Sequence, residues 1–152
     1  MPGLNLNVGL SNSLPVAGVI DPDAYTAATY TTAWIDMAVF RAILAVIQVG
    51  TMATSSTVDA KIQQASDASG TGAKDVTGKA ITQLTEAGTD SDKQVAIEVW
   101  EDELDIANDF THVRLSVTVA AAASDMSAIV LGLGARYQPA ADLATVDEIV
   151  SR

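Results

Sequence analysis

Three segments of the chain alternate apolar and polar residues with the period of two that is typical of a half-buried β-strand. They cover residues 57–65, 94–100 and 110–120, and the last of these is the most regular. A shift of one residue would turn the apolar side chains of the first segment toward water, so its register is well specified. The rows predicted to face the core are Val58, Ala60, Ile62 and Gln64; Val95, Ile97 and Val99; and Val113, Leu115, Val117 and Val119.

Less regular apolar runs predict further strands around residues 80–85 and 127–133. The stretch 34–49 is ambiguous, because its Ala, Met and Leu favour a helix whereas its Val and Ile favour a strand. Alternation over the first part of this stretch favours two strands, with a helix as the alternative. Residues 66–73 and 86–92 are rich in turn-forming residues and are predicted to be loops.

The two ends of the chain differ in character from its middle. Residues 1–30 are rich in Asn, Ser, Gly and Pro and predict an N-terminal arm ahead of a domain spanning 31–137. The arm has an alternating apolar row that either binds a partner surface, belongs to a frayed terminus, or forms a strand of the same domain. That row is Leu4, Leu6, Val8 and Leu10. The tail, 138–152, has weak helical character and predicts a short helix or an ordered extension.

Six to eight short strands separated by polar loops, without long helices between them, predict an all-β fold. The expected architecture is an antiparallel, jelly-roll-like β-sandwich, with a small barrel as the alternative. A chain of 152 residues fits one such domain, and its 49% apolar and 18% charged residues are sufficient for a folded core.

Charge and composition narrow the choice of partners. The net charge of −11 repels phosphate backbones and anionic lipid, so neither nucleic acid nor membrane is expected as a partner. The most apolar stretch, residues 37–47, is interrupted by Arg41 and is shorter than a membrane span of about 20 residues. The first residues lack the features of a secretory signal, and the chain has no cysteine, which excludes disulfides and thiolate zinc sites.

Residues suited to catalysis are few. His112 is the only histidine, and Ser116 lies four positions further on, about 13 Å away along an extended strand. No nucleophile motif such as G-x-S-x-G is present, so the chain is not expected to be an enzyme or to bind a cofactor.

An acidic run is the only candidate metal site, but it lacks the spacing of a calcium loop, and a solvated loop is the favoured interpretation. The run comprises Glu98, Glu101, Asp102, Glu103, Asp105 and Asp109.

Two stretches of the sequence resemble a known group of proteins. The first is TVDAKIQQASDASGTGAKDVTGKAITQL, residues 57–84, and the second is HVRLSVTV, residues 112–119, followed by GARY at 134–137. These stretches resemble small structural proteins that tailed bacteriophages encode with their head genes, and the likeness spans roughly residues 30–140.

The resemblance implies a β-sandwich that decorates or cements the capsid. It would bind the major capsid protein lattice, as a homo-oligomer or beside neighbouring copies of itself, on the outer surface of the virion, after assembly in the host cytoplasm. Two alternatives remain open from sequence. One is a head–tail connector or tail component of the same virion. The other is a carbohydrate-binding sandwich, which needs a co-planar pair of exposed aromatic rings.

Overall fold

The computed structural model describes residues 9–137 and 139–150. Short one-turn 3₁₀ segments lie at Glu86–Gly88, Glu101–Glu103 and Ile106–Asn108. The remaining elements, in chain order, are α1 (Leu10–Ser13), β1 (Val16–Tyr25), β2 (Ala28–Thr31), β3 (Ile35–Asp36), β4 (Ala42–Met52), β5 (Thr57–Ala65), β6 (Lys74–Ala80), β7 (Leu84–Thr85), β8 (Gln94–Trp100), β9 (His112–Ala120) and β10 (Ser124–Leu133).

The strands form two antiparallel sheets. The four-stranded sheet has the order β1-β10-β4-β8. The six-stranded sheet has the order β2-β9-β5-β6, with β3 beside β9 and β7 beside β5. Apart from the two-residue strands β3 and β7, every connection except that between β5 and β6 passes from one sheet to the other. This is the double Greek-key order of a jelly roll, so the predicted all-β sandwich is confirmed.

The core lies between the sheets and is built from the rows that the alternation predicted. Val113, Leu115 and Val117 of β9 are all fully buried. They contribute to one apolar cluster with the inward row of β4, which includes Ile43 and Ile47. Each buried side chain of this size stabilises the fold by roughly 1.5–3 kcal/mol relative to exposure.

The ambiguous stretch 34–49 contains strands, as favoured, and no helix. β3 covers only Ile35–Asp36, and β4 begins after a turn at Ala42. The strand expected at 80–85 is instead two strands, β6 and β7, separated by residues 81–83.

The predicted arm of residues 1–30 is corrected over its second half, because residues 16–25 and 28–31 are strands of the two sheets. β1 pairs with β10 from Val16 to Tyr25, and β2 pairs with β9. The register of β1 shifts twice, between Val16 and Gly18 and between Ile20 and Asp23. Such irregularities interrupt the period of two, so the strand has no clean signal in sequence.

The tail is an extension in its described part, residues 139–150, where no helix occurs. It runs beside the first residue of β1. Val16 donates its backbone N–H to Asp142 Oδ1 over 2.7 Å, and Leu143 donates its N–H to the carbonyl oxygen of Val16 over 3.0 Å. The tail therefore satisfies the outer edge of β1 at this point.

Candidate protein-docking face

The outer face of the six-stranded sheet is polar, and its side chains bond to one another. Thr29 and Thr118 are joined through their hydroxyls at 2.8 Å. Arg114 Nε donates to Gln63 Oε1 at 2.9 Å, and its guanidinium lies 4.5 Å from the ring centroid of Trp34. This face has few unsatisfied groups to offer a partner.

Ion pairs neutralise much of the charge on that side of the molecule. Its strands carry cations and carboxylates together, and Lys61 Nζ lies 2.8 Å from Asp75 Oδ2. This pairing lowers the pKa of the Asp75 carboxyl, first through the hydrogen bond from Lys61 and then through that from Gln63. The cations of these strands are Lys61, Lys74, Lys79 and Arg114, and the carboxylates are Asp36, Asp59 and Asp75.

The outer face of the four-stranded sheet is apolar across its middle. Ile129 on β10 lies directly opposite Val46 on β4 and Val19 on β1. In the next row Leu131 lies opposite Leu44, which is 37% exposed. We call six apolar residues of these two rows the outer apolar face: Val19, Leu44, Val46, Ala96, Ile129 and Leu131. The second row also contains the charged Glu98, which lies opposite Leu44.

The same sheet becomes polar and then acidic toward the C-terminal end of β4. Ser127 lies opposite Gln48, which lies opposite Gln94 on β8. Beyond this row, Asp125 packs against Gly50, where an added Cβ would be 3.1 Å from that of Asp125. Four rows of a sheet span roughly 20 Å, so the change from apolar to acidic occurs within one small surface.

Two adjacent depressions follow this gradient. The apolar depression, of about 290 Å³, is lined by Val19, Val46 and Ile129, with Asp21 as its one charged residue. The acidic depression, of about 520 Å³, is lined by Asp23, Asp92 and Asp125. Both are also lined by Pro22, Gln48 and Ser127, and neither has a residue of the tail in its lining.

The four strands of this sheet carry carboxylates but no Lys or Arg. Asp21, Asp23, Glu98 and Asp125 are their charged residues. Among the ion pairs of the described residues, none involves these four or Asp92. Lys93, next to Asp92 in sequence, pairs with Asp90 at 2.6 Å.

Part of the predicted partner-binding row, namely Leu4, Leu6 and Val8, lies outside the described residues. Its last member, Leu10, begins the one-turn helix α1 rather than a strand and is 61% exposed. The chain then passes the fully buried Pro15, whose carbonyl oxygen accepts a hydrogen bond from Gly132 at 2.9 Å. Leu10 is therefore free to contact a partner but shows no strand geometry.

Three carboxylates of the acidic run at residues 98–109 form ion pairs with basic residues from other parts of the chain. Glu101 pairs with Arg136, Glu103 with Lys79, and Asp105 with Lys74. The hydrogen bond from Lys79 lowers the pKa of Glu103, and the backbone N–H of Trp100 lowers it further. The hydrogen bond from Lys74 is the main cause that lowers the pKa of Asp105. Within residues 9–137 and 139–150, no group of His, Asp and Glu is placed to hold a metal ion.

His112 and the aromatic residues have structural contacts. His112 Nδ1 lies 2.9 Å from the hydroxyl of Thr111. In the described part of the chain the one close pair of aromatic rings is Tyr25 and Tyr30, at 4.3 Å between centroids and tilted by 58°. A sugar platform needs two co-planar exposed rings, which this pair does not provide.

Sequence reasoning identified the core rows but not the outer apolar face. Four of its six residues, Leu44, Val46, Ile129 and Leu131, lie in the continuous apolar runs 42–47 and 128–133, where both sides of the strand are apolar. Such runs predict a strand buried on both faces, and only the sheet order shows that one face is uncovered.

Comparison with known proteins gives little further information. The sequence matches no protein-family model and no curated protein. Among solved structures, those of infectious bursal disease virus, strains Gt and Gx, are similar at 14% and 15% identity, each with a TM-score of 0.43. The similarity covers 85% and 84% of this chain, respectively. It covers only 34%, about a third, of each viral chain.

No helix in the described residues is long and apolar enough to cross a membrane.

Proposed function

We propose that this protein is a non-enzymatic structural component of a virion, a decoration or cement protein that binds the major capsid protein lattice. The observation that carries the proposal is the outer apolar face. A folded domain with a complete core has no internal use for a second apolar surface, and such surfaces typically bind another protein.

Two further features support a structural role. The jelly roll is an architecture used by viral capsid proteins, although lectins and cupins share it, so this support is an analogy at the level of the fold. The resemblance of residues 57–84 and 112–119 to phage head proteins is independent of that analogy.

Attachment through a sheet face is compatible with many copies on one shell. Each copy binds by its own apolar face, and neighbouring copies on the outer capsid surface meet through their edges and loops. The row that includes Leu4, Leu6 and Val8 is proposed to add contacts with the shell, since each fully buried side chain of this kind contributes roughly 1.5–3 kcal/mol before ordering costs.

The test adds purified protein to mature phage shells that lack it and counts the bound copies. Wild-type protein is expected to bind in hundreds of copies. Ile129→Asp places a charge in the centre of the outer apolar face and should abolish binding. The matched control, Thr31→Asp, places the same charge on an exposed residue of the opposite outer face and should bind normally.

The copy number also separates the alternatives. Binding of about a dozen copies at a single vertex would replace this proposal with a head–tail connector or tail component. A variant that lacks residues 2–8 tests the arm, because it leaves α1 and the buried Pro15 in place. If it binds as tightly as the full chain, the arm makes no contribution to attachment.

A further inference from the structure

We infer that the surface to which this protein binds presents an apolar side chain next to Lys or Arg. The apolar side chain would enter the apolar depression, and the cation would enter the acidic depression beside it. This inference rests on the proposed function, which it deepens by specifying the chemistry of the partner surface.

Charge complementarity determines the choice of occupant. The acidic depression is lined by three carboxylates, Asp23, Asp92 and Asp125, and by no basic residue. Since the ion pairs of the described residues leave these carboxylates unneutralised, a cation from outside is the complementary group.

A second copy of the chain is a poor occupant for the same reason. A symmetric pair would bring two faces without Lys or Arg together, and their carboxylates would repel. A head-to-tail pair would need cations from elsewhere on the chain. Most of the Lys and Arg residues that the structure describes are already in ion pairs within the molecule, namely Lys61, Lys74, Lys79, Lys93 and Arg136.

The shared lining of the two depressions defines the spacing of the partner groups. Pro22, Gln48 and Ser127 line both, so the two side chains of the partner come from adjacent positions on its surface. One short extended segment with an apolar residue two positions from a basic residue satisfies this arrangement, because residues i and i+2 of an extended chain point to the same side.

The first experiment measures shell binding against ionic strength. Asp92→Asn/Asp125→Asn removes two charges from the acidic depression, and Asn preserves the left-handed backbone of Asp92, whose φ is 61°. The control, Asp102→Asn/Asp109→Asn, also contains one left-handed residue, Asp109, with a φ of 60°. At about 50 mM salt the first variant should bind about tenfold more weakly than wild type, and the control should bind normally.

Wild-type binding should also weaken as salt is raised to about 500 mM, and the Asp92→Asn/Asp125→Asn variant should respond less. Equal affinity and equal salt dependence of this variant and wild type would overturn the inference while leaving the proposed function in place.

The second experiment does not use shells. Isotope-labelled protein is titrated with the peptide acetyl-Lys-Ser-Leu-Ser-Lys-amide, whose Leu and Lys share one side of an extended chain, and followed by amide chemical shifts. Shifts at Val46, Ser127 and Asp125, absent with a peptide carrying Glu in place of Lys, support the inference even if shell binding fails. Shifts confined to the six-stranded sheet contradict it. Sedimentation of the protein alone tests whether a second copy occupies the face. If the wild-type protein is a dimer and Ile129→Asp makes it a monomer, a second copy is the occupant and the inference is overturned.

Discussion

The two outer faces of this sandwich differ although they enclose the same core. On the six-stranded sheet, hydroxyls, amides and ion pairs form a network that is satisfied within the molecule. On the four-stranded sheet, apolar rows lie a few residues along the strands from carboxylates that form no ion pair. The first face has its polar groups paired within the molecule, whereas the second leaves apolar side chains and carboxylates available for binding.

The largest effect on stability should come from substituting one of two neighbouring residues of β10 that face opposite sides of the sheet. Val130 is fully buried in the core, and Val130→Asp should prevent stable folding because an unpaired carboxylate there costs several kcal/mol. Ile129→Asp, on the outer apolar face, should lower the free energy of unfolding by only about 1 kcal/mol. Urea unfolding of both variants checks this, and equal losses would mean that the outer face is part of a core.

A smaller loss of stability should follow when the hydroxyl of Thr32, just after β2, is removed. Leu115 donates its backbone N–H to the hydroxyl of the buried Thr32 at 3.1 Å, across 83 residues of sequence. Thr32→Val keeps the shape and leaves this donor unsatisfied, at a cost of about 1–3 kcal/mol. Thr32→Ser should retain most of the stability, and a Val variant as stable as wild type would show that the hydroxyl is dispensable.

Arg114→Ala tests the exposed part of the same network. It removes the contact with Trp34 and the hydrogen bond to Gln63, and the free energy of unfolding should fall by about 1 kcal/mol. Shell binding should stay at the wild-type level, because this residue lies on the opposite outer face. A binding defect with intact stability would assign attachment to the six-stranded sheet instead.

The smallest effect concerns pH. The hydrogen bond from Lys61 holds the pKa of Asp75 below its ordinary value of 3.8. A carboxyl whose pKa is lower in the folded state stabilises the fold at pH values above its ordinary pKa. That stabilisation is lost as the pH falls through the pKa of the folded state. For this exposed pair the contribution should be below about 0.5 kcal/mol. Asp75→Asn should therefore narrow the stability difference between pH 7 and pH 3, measured by urea unfolding, and an unchanged difference would contradict the assignment.

Sequence predicted more of the fold than of the candidate site. Regular strands such as β8 were predicted with their bounds, because one buried face and one solvated face produce a strict alternation. The alternation does not reveal β1, because its shifts of register and Pro22 break that pattern, so the sequence predicts an arm in its place. The partner-binding row that ends at Leu10 stays a prediction, since its first three members lie outside the described residues.

The sequence by itself determined which strands have one buried side, the acidic charge, and the polar loops, because these depend on residues close together in the chain. Only the tertiary structure decided which of two apolar sides of β4 and β10 is covered. Both sides of such a strand carry similar residues, so local pattern cannot distinguish them. The pairing of β10 between β1 and β4 turns Val130 into the core and leaves Ile129 half-buried on the outer face. The acidic depression likewise exists only because the sheet brings together three aspartates that are more than 30 positions apart in the chain.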